Sequence, residues 1–270
     1  MLSCLNEATT MPYSLNDDIH YLALAGFKGI EIWVDKLKKF LEKYSKEDLK
    51  KLLDKANISA PCLCAFGGIV FPPQDIFEKR VKEMEKYLEV GNFIGSKYIV
   101  LCAEGFGGKS FEEARERYVL RLRELSRILE SYDIMIALEW FDELPPVIDI
   151  VKSIDDENIG FLIDAFHWYR GDGNLDNLRK IPSYKIFFIH ICDCEDLPRE
   201  KLEDKHRVYC GLGVIPLVDI LKILDEKGYK GYLSVEIFRK EYWRQSIEKI
   251  TVEAYKTLID VGLKAGVEIR

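Results

Sequence analysis

The sequence predicts a single (β/α)8 TIM barrel over residues 1–270. Short apolar runs alternate with amphipathic helical stretches along the whole chain, which is typical of βα units around a parallel sheet. Eight such runs are present, and no linker or low-complexity tract marks a second domain. A chain of 270 residues also suits one barrel of this class, which takes about 250 residues.

The predicted strands are rich in Ile, Leu, Val and Phe and lack a clean alternation with polar residues. This pattern indicates strands that are buried on both faces of a parallel sheet. The runs lie near residues 2–6, 28–33, 58–64, 97–102, 134–139, 159–164, 185–190 and 231–236.

The predicted helices show apolar residues recurring at intervals of three and four. The pattern is clear from Phe77 to Leu88, from Phe111 to Leu129, and in the closing helix from Ile247 to Val261. The opposite faces carry Lys, Arg and Glu, so we expect them to face solvent.

The composition and net charge of the chain argue against several classes of function. The net charge of −7 disfavours nucleic acid as a partner, because phosphate binding usually needs a basic face. The chain has no apolar stretch of about eighteen residues and no basic-then-apolar start, so we expect no membrane association and a cytoplasmic location.

Its seven cysteines lie mostly in or beside predicted strands, which predicts reduced thiols. Glycine motifs that bind dinucleotides or nucleoside triphosphates are absent.

Four of the apolar runs end on a side chain that can bind a metal ion. In a parallel barrel the carboxyl ends of all strands open onto one face, so these side chains should converge. Three carboxylates and one imidazole form a hard, oxygen-rich donor set, which predicts one divalent metal ion, Mn, Co or Mg. Taken singly, each carboxylate could instead cap a helix or form a salt bridge, and the histidine could be a core imidazole. The four residues are Glu139, Asp164, His190 and Glu236.

Several further motifs accompany these four side chains. Together they resemble the xylose isomerase-like sugar epimerase and isomerase superfamily over essentially the whole chain. The resemblance is closest to ketose 3-epimerases of the D-tagatose and D-psicose type, with inosose dehydratases and hydroxypyruvate isomerases nearby. The motifs are Gly29-Ile30-Glu31-Ile32, Asp164 with His167, Arg207 ahead of Gly211-Leu212-Gly213, Gly228-Tyr229-Lys230-Gly231, and Ser234-Val235-Glu236.

The resemblance implies an isomerase with a small sugar as substrate and a homodimer or homotetramer as assembly. Glu139, Asp164, His190 and Glu236 would bind the metal ion. Of these, Glu139 and Glu236 would also be catalytic, one abstracting a proton next to a carbonyl and the other delivering one through a metal-stabilised enediolate. His167 and Arg207 would contact substrate hydroxyls, and we assign Glu31 to the substrate as well.

Other functions are open at this point. The known ketose 3-epimerases have a further substrate-contacting Glu after the first ligand, whereas Glu143 here has a different spacing. An inosose-type dehydratase would use the same site. A metal-dependent endonuclease or phosphodiesterase is a third possibility, because Asp204-Lys205-His206 resembles part of a trinuclear zinc site, although strands three and four lack its histidines. The loop Gly211-Leu212-Gly213 could bind a phosphate or simply turn the chain.

Overall fold

The protein is a closed barrel of eight parallel strands with helices around it. The computed structural model describes residues 1–270. Its strands are β1 (Leu2–Asn6), β2 (Gly29–Trp33), β3 (Ser59–Phe66), β4 (Tyr98–Cys102), β5 (Met135–Glu139), β6 (Ile159–Asp164), β7 (Ile186–Ile191), β8 (Asp193–Cys194), β9 (Arg207–Val208) and β10 (Tyr232–Val235). All eight predicted barrel strands are present, and their bounds differ from the predicted ones by two residues at most.

The barrel closes where β1 pairs with both β10 and β2, and the order around the ring is β1-β10-β7-β6-β5-β4-β3-β2. The short strands β8 and β9 form a separate antiparallel pair. The predicted fold class is therefore confirmed.

Helices fill the connections, and the three that we predicted in detail are present as α4, α5 and α11. The full set is α1 (Leu15–Ala25), α2 (Val34–Leu41), α3 (Lys46–Ala56), α4 (Gln74–Ile94), α5 (Phe111–Leu129), α6 (Leu144–Ile154), α7 (Ala165–Gly171), α8 (Leu175–Lys180), α9 (Leu217–Glu226), α10 (Lys240–Trp243) and α11 (Ile247–Ala265). Single turns of 3-10 helix lie at Glu130–Tyr132, Ser183–Lys185, Arg199–Lys201 and Asp204–His206. None of the helices combines the length and the apolar composition that crossing a bilayer requires.

The start of α5 shows how local sequence fixes a helix boundary. The Ser110 hydroxyl accepts a hydrogen bond from the Glu113 amide, and the Glu113 carboxylate accepts one from the Ser110 amide. This capping box satisfies backbone donors that have no partner inside the helix. The apolar face of α5 then packs on the barrel through Tyr118, Leu122 and Leu125, which are buried.

The barrel interior changes from apolar to charged along its axis. A cluster of cysteines, small apolar residues and phenylalanines, including Cys4, Cys62, Val100 and Phe188, fills part of the interior. All seven cysteines of the chain are free thiols, as predicted. At the carboxyl ends of the strands the interior becomes polar, which is where active sites lie in this fold.

Candidate metal centre

The four predicted side chains meet at the carboxyl end of the barrel. Glu139 and Asp164 are the last residues of β5 and β6, His190 lies near the end of β7, and Glu236 directly follows β10. One donor atom from each lies within 4.8 Å of the others, and all four residues are buried. The parallel register explains the convergence, because β6 and β7 pair Asp164 directly with His190.

The imidazole of His190 points one nitrogen at all three carboxylates. Its Nδ1 atom lies 3.3 Å from Glu139 Oε1, 3.3 Å from Glu236 Oε2 and 3.8 Å from Asp164 Oδ2. None of these contacts has the alignment of a hydrogen bond, and Nδ1 has no other partner. A buried ring nitrogen without a partner is uncommon in folded proteins and calls for an explanation.

The donor set fits a divalent cation. Asp164 Oδ2 also lacks an aligned hydrogen bond, although it forms an ion pair with Arg207, and it lies around the same point as His190 Nδ1 and the oxygens of Glu139 and Glu236. Carboxylate oxygens and an imidazole nitrogen suit Mn, Co, Mg or Zn in proteins. Glu139, Asp164, His190 and Glu236 are therefore the residues that would hold such an ion.

Asp164 has two functions, one for each carboxylate oxygen. Oδ1 accepts hydrogen bonds from the amides of Phe166 at 2.6 Å and His167 at 3.1 Å, which caps the start of α7. Oδ2 faces the cluster. The alternative of a helix cap thus holds for this residue without competing with metal binding, and the cap fixes the direction of the free oxygen.

Arg207 lies beside the cluster and is completely buried. Its Nη2 atom is 2.8 Å from Asp164 Oδ2, its Nη1 atom is 3.1 Å from Glu236 Oε2, and its Nε atom is 3.1 Å from Asp204 Oδ1. The guanidinium plane packs 4.4 Å from the centre of the Phe166 ring. Each nitrogen of Arg207 therefore already contacts a protein group, and a solvated side chain is excluded.

The electrostatics of the carboxylates differ. Burial would raise the pKa of Asp164, but the positive charge of Arg207 is the largest opposing cause, and this pKa lies well below its ordinary value. Burial raises the pKa of Glu236 to about 7, although His190 and Arg207 act in the opposite direction. Burial lowers the pKa of His190, but Glu236 and Glu31 outweigh it and raise this pKa well above its ordinary value.

His167 lies next to Arg207 at the start of α7. Its Nε2 atom is 3.1 Å from Arg207 Nη2, and its ring meets Phe141 edge to face at 4.6 Å. Because arginine can only donate, Nε2 accepts this hydrogen bond and the proton of the neutral ring lies on Nδ1. Burial lowers the pKa of His167, which favours this neutral form. Its contact with substrate remains a prediction.

Glu31 does not take the position that we expected for a substrate contact. It is fully buried, and its two oxygens lie 2.9 and 3.0 Å from Nε2 of His190, on the side of the ring away from the cluster. Its Oε2 atom also accepts a hydrogen bond of 2.7 Å from the Ser234 hydroxyl. The structure therefore gives both oxygens of Glu31 protein partners beneath the metal cluster, which does not support the predicted contact with substrate.

The loop Gly211-Leu212-Gly213 turns the chain around an internal carboxylate. The buried Asp193 accepts hydrogen bonds from the amides of Cys194 at 2.9 Å, Gly211 at 3.1 Å and Ile215 at 2.8 Å. A Cβ atom at Gly213 would meet the carbonyl oxygen of Cys194 at 2.0 Å, so only glycine fits there. The amides that a phosphate would need are thus already used by Asp193.

The aromatic residues near the strand ends divide into two groups. The rings of Trp33 and Phe238 lie 5.8 Å apart, and Phe238 lies 5.6 Å from the Arg207 guanidinium, so this pair borders the site. Trp140 packs instead against Tyr118, at a ring distance of 6.0 Å. Trp33 and Phe238 therefore form an apolar surface beside the site, whereas Trp140 belongs to the core.

One neighbour of the cluster was missed in the sequence. Cys102 ends β4 opposite Glu139 in the register, and its thiol donates a hydrogen bond of 3.5 Å to Glu139 Oε2. Burial raises the pKa of this thiol well above its ordinary value, so it stays a donor. Its position at the end of a predicted strand could have indicated a place near the site. However, a cysteine in an apolar run cannot be distinguished from a core residue by sequence.

A closed barrel with three carboxylates and an imidazole converging at its carboxyl end defines a TIM-barrel protein with a candidate divalent metal centre. The model of the xylose isomerase-like TIM barrel family matches residues 19–258, and the chain belongs to this family. The predicted family is therefore confirmed.

The chain is similar to several inosose isomerases. The one from Halalkalibacterium halodurans is 33% identical over 98% of this chain and 97% of its own length. The one from Bacillus subtilis is 33% identical over 98% of this chain and 99% of its own length. An inosose dehydratase of Clostridium perfringens is more distant, with 27% identity over 81% of this chain and 80% of its own length.

Solved structures show the same architecture. A crystal structure of the IOLI protein with a zinc atom has a TM-score of 0.92 at 32% identity, covering 98% of this chain and 99% of that chain. D-psicose 3-epimerase with D-tagatose, from Clostridium cellulolyticum H10, has a TM-score of 0.78 at 19% identity, covering 97% of this chain and 99% of that chain. At that identity the second likeness concerns the fold alone.

Proposed function

We propose that this protein is a divalent-metal-dependent isomerase whose substrate is an inosose, a cyclitol that carries one ketone. The observation that carries the proposal is the pair of glutamates around the cluster. Glu139 and Glu236 each place one oxygen 3.3 Å from Nδ1 of His190, and both side chains are almost completely buried. Two carboxylates at one centre can remove a proton and return one.

The chemistry follows from these positions. One glutamate takes the proton from the hydroxyl-bearing carbon next to the ketone, and the other delivers a proton to the former carbonyl carbon or to the opposite face of the first carbon. In the first case the proton of the neighbouring hydroxyl also passes to the former carbonyl oxygen, so the ketone moves by one carbon. When bound, the cation would act as a Lewis acid that polarises the ketone oxygen and makes the adjacent proton more acidic. His167 would donate a hydrogen bond from Nδ1 to a substrate oxygen, since its Nε2 atom is occupied by Arg207.

The choice of an inosose over a ketose rests on two supports. The relatives with 33% identity over nearly the full chain are inosose isomerases. In addition, Glu143, which would have to replace the extra glutamate of the ketose 3-epimerases, is exposed at the start of α6 and lies outside the cluster. The rings of Trp33 and Phe238 would form the apolar wall beside the cyclitol.

The proposal is tested by proton exchange. The protein is stripped with a chelator, reloaded separately with Zn, Mn, Co or Mg, and incubated with inososes and ketoses in deuterated water under proton NMR. We expect metal-dependent deuterium uptake next to the ketone of an inosose, together with a rearranged inosose as product. The variants Glu139→Gln and Glu236→Gln should lose this exchange, and Glu143→Gln, a nearby exposed carboxylate, should keep it.

The same spectra distinguish the competing functions. Exchange with a ketose and with no inosose would indicate that the substrate is a free sugar, as the 3-epimerase prediction requires. Loss of water from the inosose would indicate a dehydratase. No exchange with any member of the panel would contradict the isomerase proposal altogether.

A further inference from the structure

Glu31 is a buried carboxylate in the barrel interior, between the metal cluster and the group of apolar side chains and thiols. It lies in the middle of β2, and the register places it beside Asn6 of β1 and Cys62 of β3. Its exposure is 0%, as is that of Cys62. A buried carboxylate is costly unless it is paired and hydrogen-bonded, so its partners show what it does.

The partners of Glu31 are a ring nitrogen and a hydroxyl. Both of its oxygens reach Nε2 of His190, at 2.9 and 3.0 Å, and Ser234 donates to Oε2 at 2.7 Å. The placement of Ser234 is fixed by the sheet, because β10 pairs Ser234 directly with His190. These three residues come from β2, β7 and β10, so the arrangement depends on the closed ring.

This geometry decides which nitrogen of His190 carries a proton. A carboxylate accepts hydrogen bonds and cannot donate, so Nε2 is the protonated nitrogen in the contact with Glu31. In the neutral ring the lone pair is then on Nδ1. That is the atom without a hydrogen-bond partner, and it faces Glu139, Asp164 and Glu236.

We propose that Glu31 is a positioning residue of the metal centre: it holds His190 with the proton on Nε2 and with Nδ1 directed at the cation. The negative charge of Glu31 would also increase the basicity of the ring as a ligand, as carboxylates behind metal-bound histidines do. The inference rests on the metal site of the proposed function and is independent of the substrate. An alternative without any role in metal binding is a buried ion pair that only stabilises the barrel.

Metal affinity separates these two roles. Zn²⁺ binding to the metal-free protein is measured by calorimetry for the wild type and for Glu31→Gln, which keeps the size of the side chain and removes its charge. We expect the variant to bind Zn²⁺ about 10- to 100-fold more weakly. Ser234→Ala, which removes the second partner of Glu31, should have a smaller effect in the same direction. Cys62→Ala, an equally buried neighbour in β3, should bind as the wild type does.

The tautomer is measured directly in the Zn²⁺-loaded wild type. Proteins labelled with ¹⁵N-histidine are compared with and without His190→Asn, so that the His190 signals can be assigned among the four histidines. We expect a proton on Nε2 and none on Nδ1. This measurement needs no Glu31 variant, so it decides the question even if Glu31→Gln does not fold.

The possible failures are distinct. A wild type that binds no divalent ion would overturn both the metal site and this inference. A wild type that binds Zn²⁺ while Glu31→Gln binds it equally well would overturn only the role of Glu31 and leave a structural ion pair. A proton found on Nδ1, with Nε2 as the metal ligand, would likewise overturn the inference while leaving the proposed function intact.

Discussion

The two glutamates of the candidate centre have the same distance to His190 but different neighbours. Glu236 Oε2 lies 3.1 Å from Nη1 of Arg207, whose guanidinium also reaches Asp164 and His167. The second oxygen of Glu139 instead meets the thiol of Cys102 at 3.5 Å, which is a weak and uncharged donor. One glutamate is part of a charged network, whereas the other is held by packing and one weak hydrogen bond.

The difference indicates how far a change at each glutamate should spread. Buried charges that share a partner are energetically coupled, so a change beside Glu236 should also affect Asp164 and His167. A change beside Glu139 should remain local, because Cys102 forms a hydrogen bond with Glu139 and with no other charged residue of the cluster. The two glutamates share a catalytic role, so their asymmetry should appear instead in stability, in the pH dependence of metal binding and in the effect of Cys102.

The largest expected effect is the loss of either glutamate. Glu139→Gln and Glu236→Gln should each lower kcat for proton exchange by about 10²- to 10⁴-fold, because a positioned acid or base is removed. If loss of metal were the only cause, activity would return at saturating metal. We expect no such return, and recovery of the wild-type rate at high metal concentration would contradict the catalytic role.

The next effect concerns stability on the Glu236 side. Replacing Arg207 with Leu leaves Asp164 and Glu236 buried without their cation, and removal of one partner of a buried ion pair costs about 3–5 kcal/mol. We expect a loss of this size in the free energy of unfolding of the metal-free protein, measured with urea. Arg239→Leu is the matched control, because Arg239 pairs with the half-exposed Glu195 at 2.7 Å and should cost about 0–1 kcal/mol. Equal losses in the two variants would contradict the asymmetry.

The pH dependence of metal binding should also arise on the Glu236 side. Burial raises the pKa of Glu236 to about 7, so a proton must leave this carboxyl when a cation binds below that pH. Metal affinity should therefore rise with pH, by about tenfold per pH unit for each proton released. The rise should continue above pH 7, because the pKa of His190 is also raised and its ring must lose a proton before Nδ1 can bind the cation. Because its pKa is raised in the fold, Glu236 also contributes stability to the metal-free protein that is fully present below its ordinary pKa of 4.5 and is lost as pH rises to about 7.

Calorimetry between pH 5.5 and 8 in buffers of different ionisation enthalpy measures the protons released. Glu236→Gln should release fewer protons than the wild type, in addition to binding more weakly. A wild-type affinity that does not change over this range would contradict the prediction.

The sequence was sufficient to predict the barrel and the four converging side chains, because both follow from patterns within single strands. An apolar run that ends on a carboxylate indicates a buried strand, and the carboxylate marks the end of the strand where the active site lies. Glu31 could not be placed in this way, because its role depends on a contact between β2 and β7, which are distant along the chain and meet only across the barrel. The burial of Arg207 could not be predicted either, because the charged residues that precede it in the sequence are typical of a solvent-exposed segment, whereas β9 places its side chain inside the protein.

Cys102 illustrates the same limit on the Glu139 side. In the sequence it is one of seven cysteines, most of which lie in or beside apolar runs, and only the register between β4 and β5 places it beside Glu139. Its effect on catalysis is expected to be small, because a thiol is a weak donor. Replacing Cys102 is therefore the most sensitive test of the difference between Glu139 and Glu236.

Removing the thiol should change the proton-exchange rate by only a few-fold. Cys102→Ala deletes the hydrogen bond to Glu139 Oε2, whose net contribution is about 1 kcal/mol or less, and should lower kcat with little change in KM. Cys102→Ser keeps a donor at this position and should restore most of the rate, which a purely structural role would not predict.

Cys210→Ala, which removes a buried thiol away from Glu139, should leave the rate unchanged. If Cys102→Ala lowered kcat as far as Glu139→Gln does, Glu139 would depend on its neighbour as strongly as Glu236 does, and the proposed difference between the two sides would be wrong.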